Sequence, residues 1–162
     1  MIDDEGYRLN VGIVVSNDKQ QLVWGRRAAK SGGWQFPQGG VEEGEVTLDC
    51  MYRELHEELG LGPNDINIVA ESKQWLKYDL PEQFRRYHST PLVIGQKQRW
   101  FLLKLVSPDS AIRLDANRRP EFVEWQWVDY WYALDQIIDF KREIYQQMLA
   151  EFEQFIFPEK HD

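Results

Sequence analysis

Residues 39 to 61 read GGVEEGEVTLDCMYRELHEELGL, and no other stretch limits so tightly what this chain can fold into and do. A glycine-rich turn leads to Glu45. A helix follows, carrying Arg53, Glu54, Glu57 and Glu58, and Gly60 stops it. The spacing i, i+3, i+4 puts Glu54, Glu57 and Glu58 on one helical face. Like charges that close repel, so the helix gains nothing by grouping them. A cation placed among them reverses the sign of the interaction. Hard divalent cations such as magnesium take carboxylate oxygens and usually arrive with substrate phosphates. The stretch therefore predicts a metal-dependent site for phosphate chemistry. The competing reading, a solvated acidic helix with a routine cap, leaves the clustering without a cause.

The pattern predicts a helix over 46–59 whose apolar stripe, Leu48, Met51, Leu55 and Leu59, packs on a sheet. At roughly 100° per residue, the three glutamates are centred about a third of a turn from that stripe. They belong at the rim of the core, where a cleft can form. Strands are expected at 10–16 (NVGIVVS) and 22–27 (LVWGRR), joined as a hairpin through a turn at 17–20. A short strand at 34–36 ends at Pro37. Further strands are expected at 66–72, 75–78, 98–106 and 122–128, with loops at 31–33, 80–91 and 107–120. A closing amphipathic helix over 141–155 carries Ile144, Tyr145, Met148, Leu149, Phe152 and Phe155, and 158–162 reads as a frayed tail. Trp100, Trp125, Trp127 and Trp131 read mostly as core rather than as a stacking platform. Mixed strands between helices predict an α/β domain, an α/β/α sandwich with a mixed β-sheet.

Bulk properties remove several function classes. A chain of 162 residues with 43% hydrophobic residues holds one domain with a proper core rather than a disordered segment. No stretch reaches the apolar length of a membrane span, and the start, MIDDEGYR, lacks the apolar core of a secretion signal. The single cysteine, Cys50, allows no internal disulfide and points to a reducing cytoplasm; it reads as a small buried residue rather than a nucleophile. A net charge of −8 argues against a wholesale basic face for long duplex nucleic acid, and leaves room for a short contact with an RNA end.

Gly39, Glu45, Arg53-Glu54-Leu55, Glu57-Glu58 and Gly60-Leu61 stand at the spacing of a known motif, and the stretch resembles the signature box of the Nudix hydrolases at every fixed position. The resemblance implies a Nudix hydrolase domain over 6–150, followed at 151–162 by the end of the last helix and a short acidic tail. It also implies hydrolysis of nucleoside-diphosphate-linked compounds with a divalent metal, magnesium or manganese. Glu57 and Glu58 are the expected metal ligands. Glu54 is either a further ligand or the base that takes the proton from water, and the resemblance supports both. The loop at Gln38-Gly39 is expected to lend a backbone carbonyl. Glu121 is a candidate fourth carboxylate, as readily an exposed strand-edge residue. Arg53 and Glu45 are expected to hold the box together rather than to react.

Beyond the box, MIDDEGYRLNVGIV, WQFPQGG, IGQKQRWFLL, PEFVEWQWV and YW with DFKREIY resemble one bacterial branch of that family, the RNA pyrophosphohydrolases, also described as dinucleoside polyphosphate hydrolases. The resemblance implies two substrate classes: 5′-triphosphorylated RNA with a single-stranded end, left as a monophosphate so that decay begins, and dinucleoside polyphosphates. It leaves an activating protein partner open. Arg8, Arg27, Lys97 and Lys141 are then candidate phosphate contacts. Phe140 is a candidate stacking ring with Arg27 over the other face of the base, and Tyr78 and Gln96 are weaker contacts. A binding module without catalysis would show damaged box glutamates, and Glu45, Glu54, Glu57 and Glu58 are all present.

Overall fold

The computed structural model describes residues 1–30, 32–85, 92–137 and 139–160. Its eight-stranded sheet has the order β3-β2-β1-β7-β5, with β4 on β1, β6 on β7 and β8 on β2. The strands are β1 (Tyr7–Ser16), β2 (Gln21–Arg27), β3 (Trp34–Gln35), β4 (Gln38–Gly40), β5 (Ile66–Glu71), β6 (Leu76–Asp79), β7 (Gly95–Leu105) and β8 (Phe122–Asp129). The helices are α1 (Thr47–Leu59), α2 (Tyr132–Gln136) and α3 (Asp139–Ile156).

Strand alternation sorts the core into two layers. Val11, Ile13 and Val15 face α1 and pack with Met51, Leu55 and Leu59. Val14, Trp24, Trp100 and Leu102 face α3 and pack with Tyr145, Met148, Leu149 and Phe152. The expected α/β/α sandwich is present, its sheet mixed because β1 and β7 run parallel while the other pairs are antiparallel.

The hairpin of β1 and β2 is real but brief. Asn17 Oδ1 accepts the backbone N–H groups of Lys19 and Gln21 to make the turn, and the strands meet at Ser16 and Leu22. Beyond that point β2 turns to β8, pairing with it from Gln21 to Arg27. The divergence opens a place beside β1, and Gln38–Gly40 fills it by pairing with Asn10, Val11 and Gly12. Sequence reading leaves this segment as loop; its two glycines hide a strand that only a partner on β1 makes regular.

Other expectations need correction. Leu48 lies in the first turn of α1 and is 43% exposed; Cys50 takes the core place instead. Phe155 is 46% exposed, because the last turn of α3 runs past the sheet. Trp131 caps the start of α2, a short helix absent from the sequence reading, and is exposed. Trp125 and Trp127 are half-buried over the α1 layer. Pro158–Lys160 forms a 3-10 turn rather than fraying. The expected loops at 31–33 and 80–91 lie partly outside the described residues, as does the end of the tail; within 80–91, Glu82–Phe84 is a 3-10 turn.

Candidate active site

Helix α1 presents the carboxylates at the rim of the core because its apolar stripe is spent on the sheet. Met51, Leu55 and Leu59 are fully buried, each worth roughly 1.5–3 kcal/mol. Glu54 and Glu58 sit beside that stripe and are drawn in with it, to 8% and 6% exposure, while Glu57 stays accessible. Gly60, at φ 71°, closes the helix in the left-handed conformation, its N–H returning to the His56 carbonyl.

The strand-forming glycine Gly39 makes the close fit. A Cβ built there would lie 1.9 Å from Glu54 Cδ and within 2.3 Å of both carboxyl oxygens. The Glu54 carboxyl therefore lies against bare backbone, the close approach that glycine permits.

Arg53 ties the box together, as expected. Its Nε and Nη2 donate to the two oxygens of Glu45, both at 2.9 Å, in a forked pair. Nη1 donates to Glu54 Oε1 at 2.8 Å, and Nη2 reaches the Gly40 carbonyl at 2.9 Å. Glu57 lies 3.5 Å from the same guanidinium. Its hydrogen bond with Arg53 holds Glu45 down at a pKa of about 2, and Glu45 in turn accepts the Glu42 backbone N–H. Cys50 is buried with its thiol directed to the Gly40 carbonyl; burial pushes it up to about 12, the opposite of a nucleophile.

A cleft of about 490 Å³ opens beside this wall, lined by Gln38, Gly39, Glu54, Glu57, Glu58 and Glu121 together with Arg27, Gln35, Gln96, Asn117 and Lys141. Burial, with nearby Glu54 and Glu121, pushes the Glu58 carboxyl up to about 9, and burial also raises Glu54. Glu58 Oε2 is buried with no hydrogen-bond partner among the described residues. Four carboxylates in one cleft, two of them costly to ionise and one with an orphaned oxygen, are what a divalent cation would relieve. Among the described residues no three acidic, histidine or cysteine side chains form a ready-made cluster for an ion, and Arg53 already occupies one oxygen of Glu54. The donor set fits a hard cation in oxygen chemistry, with small carboxylate movements to close on it.

A family model described as the NUDIX domain matches residues 6–151. This chain belongs to the Nudix family. An RNA pyrophosphohydrolase of Pseudoalteromonas translucida (strain TAC 125) is 52% identical over 158 residues, covering 98% of this chain and 91% of that protein. One of Francisella tularensis subsp. mediasiatica (strain FSC147) is 51% identical, covering 96% of this chain and 99% of that protein. Among solved structures, the E. coli dihydroneopterin triphosphate pyrophosphohydrolase superposes with a TM-score of 0.69 at 20% identity, covering 90% of this chain and 98% of that one. A C. elegans Ap4A hydrolase binary complex gives 0.67 at 18% identity, covering 91% and 99%. At that identity the two structures speak for the Nudix fold alone.

The cationic side of the Nudix cleft is assembled from distant strands and the first turn of α3. Arg27, at the end of β2, lies 3.5 Å from Glu121 at the foot of β8. Lys141 stands nearby, its ammonium lowered by burial and by the Arg27 charge. Gln96 accepts the Tyr78 hydroxyl at 2.8 Å, and burial raises that hydroxyl to about 12. The Tyr78 ring meets Phe140 at 5.7 Å and 45°, so both wall an adjoining groove rather than the cleft itself. Phe140 also packs, partly buried, on the α3 core. Arg8 is exposed on β1 opposite Gln96, one strand from the cleft.

Lys97 departs from expectation. It follows Gln96 on β7, so it points to the other face of the sheet. There Asp3 binds its ammonium at 2.5 Å, with Glu5 at 3.8 Å, and it stands over the Tyr7 ring. It does not line the cleft. Two cleft residues escaped sequence reading. Gln35 lies in a two-residue strand, Trp34–Gln35, too short to show a period. Asn117 comes from the irregular 107–120 segment, where spacing carries no signal.

Proposed function

We propose that this protein is a metal-dependent hydrolase of phosphoanhydrides that removes pyrophosphate, or successive phosphates, from 5′-triphosphorylated RNA and leaves a monophosphate end open to decay. The observation that carries the reading is one cleft that gathers four carboxylates, Glu54, Glu57, Glu58 and Glu121, with two cations, Arg27 and Lys141. The relatives at 52% and 51% identity, each named RNA pyrophosphohydrolase, support the substrate class. The same substrate argues for action in the cytoplasm, and no helix among the described residues is long and apolar enough to cross a membrane.

Nudix hydrolases generally use divalent metals, and magnesium or manganese bound here supplies neutralising charge and a water of lowered pKa. Glu57, Glu58 and Glu121 are the side chains that would hold it, with the backbone at Gln38 as a further oxygen. Glu54, raised by burial and pinned by Arg53 on one oxygen, keeps its other oxygen to orient water or accept its proton. Arg27, Lys141 and Gln96 grip the phosphate chain, and Arg8 meets it further out. Phase-separating the roles this way leaves the anionic wall to the chemistry and the cationic wall to substrate placement. Phe140 and Tyr78, beside the cleft, offer rings to a base of a single strand.

The test is end-labelled triphosphorylated RNA incubated with magnesium, with the product end and the leaving group identified. A monophosphate end, lost on chelation, is expected. Diadenosine pentaphosphate in the same assay is the competing substrate, and faster turnover of it would move the reading to small molecules. Glu57→Gln is expected to cut kcat by about 10²-fold or more at saturating magnesium; wild-type turnover would remove the metal assignment.

A further inference from the structure

Beneath the cleft lies a row of amides that neither the packing nor the box accounts for. Gln98 on β7 is 1% exposed and Asn10 on β1 is 4% exposed, just where the aromatic core of Phe36, Trp100 and Tyr145 gives way to the cleft. Two buried amides at the edge of a dry core are costly unless bonded. Gln98 uses both N–H bonds of its one amide nitrogen. It donates to Asn10 Oδ1 at 2.9 Å and to Gln38 Oε1 at 3.2 Å. Asn10 is its register partner, opposite Gln98 in the parallel pairing. Gln38 is one strand further on, opposite Gly12, and lines the cleft.

A primary amide has one oxygen and one NH₂ group. With Gln98 holding the Gln38 oxygen from below, the Gln38 nitrogen is the end left to face the cleft. Among the described residues nothing else holds that nitrogen. A neutral donor aimed into a site for a polyanion meets phosphate oxygens without adding to the charge that the carboxylates must tolerate.

We propose that Gln98 is a positioning residue: through its bond to the Gln38 side-chain oxygen, Oε1, it turns the Gln38 side-chain N–H groups into the cleft to donate to a phosphate oxygen of the substrate. The inference rests on the phosphoanhydride reading above. It adds to the Gln38 backbone a separate role for that residue's side chain.

The experiment compares wild type, Gln38→Leu, Gln98→Glu and the double variant in two ways. Steady-state turnover of triphosphorylated RNA at saturating magnesium gives KM and kcat separately. Calorimetric binding of inorganic pyrophosphate with magnesium needs no turnover. Glutamate at 98 keeps the shape but accepts instead of donating, so Gln38 turns its nitrogen inward. Each single variant is expected to raise KM and weaken pyrophosphate binding about tenfold, with kcat within about threefold of wild type. The double variant should be no worse than either single one, because both remove the same donor. Unchanged KM and pyrophosphate affinity in Gln98→Glu, or losses that multiply in the double variant, would overturn the proposal. A lowered Tm with unmoved KM marks a merely structural Gln98 and overturns it equally. Should Gln98→Glu fail to fold, Gln38→Leu decides: pyrophosphate affinity equal to wild type sinks the idea. If wild type leaves triphosphorylated RNA intact, the functional reading fails on that arm, and the pyrophosphate arm still judges Gln98.

Discussion

The two sides of the cleft are built on different principles. The anionic side comes almost whole from one helix, α1, and its geometry is set by neighbours in sequence: Arg53 forks onto Glu45 and holds Glu54, the adjacent residue. The cationic side collects Arg27 from β2, Gln96 from β7 and Lys141 from α3, residues that meet only because the sheet is folded. The first side is crowded and partly dry, as the raised carboxyls of Glu54 and Glu58 report. The second meets the carboxylates by a longer contact, Arg27 to Glu121 at 3.5 Å, and the pKa of its Lys141 is lowered by burial and by the Arg27 charge. The contrast sets a carboxylate group ordered mostly within one helix beside a cationic group that only the folded sheet assembles.

The sharpest way to break that contrast is at Gly39. Gly39→Ala forces a Cβ into the Glu54 carboxyl, so kcat should fall by about 10²-fold, whereas Gly40→Ala, which meets nothing within 4 Å, should leave it within about threefold. Equal effects of the two substitutions on turnover would show that the anionic wall is not held as tightly as its contacts imply.

Lys141→Ala tests the other side. It should raise KM for RNA about tenfold and leave kcat nearly unchanged, since a phosphate grip acts on ground and transition states alike. A larger fall in kcat than rise in KM would move Lys141 into the chemistry and erase the division.

The dryness of the anionic wall has a pH signature. Between the ordinary glutamate value of 4.5 and about 9, native Glu58 keeps a proton that the unfolded chain has released, so folded stability declines as pH rises through that window. In chelator, wild type should lose on the order of 4 kcal/mol more stability than Glu58→Gln from roughly pH 5 to 8, read by urea unfolding at each pH. Identical slopes would mean that Glu58 ionises as an ordinary carboxylate.

The smallest effect is expected at Arg26, next to Arg27 but outside the cleft lining. Its bond to Glu124 is exposed at both ends, so Arg26→Ala should shift stability by less than about 0.5 kcal/mol and leave KM unchanged. A KM effect as large as that of Lys141→Ala would show that general surface charge, not the cleft, grips the substrate.

What was legible in the chain follows the same division. The helix of the box, its acidic face and the stopping glycine depend on contacts within about a turn or two, and a period of 3.6 displays them, whereas the clamp of Arg53 reaches back to Glu45 and Gly40, before the helix begins. The strand at Gln38–Gly40 was not legible, because glycine carries no pattern and its regularity comes from β1. Leu48 and Phe155 show the limit of periodicity at helix ends: the stripe continues past the surface it was meant to cover. Lys97 shows another. Adjacent strand residues face opposite ways, and nothing local says whether Gln96 or Lys97 points to the cleft.

By itself, then, the order of residues determined an acidic helical face, two helices over a mixed sheet, and a kind of chemistry, since these arise from short-range sterics and from like charges that call for a cation. Only the tertiary structure decided which distant cations share the cleft, that Lys97 is lost to Asp3, that Gln35 and Asn117 join the lining, and that Gln98 reaches under Gln38. Those outcomes depend on strand order and register, which follow from how two apolar layers close over the whole sheet and not from any segment read alone.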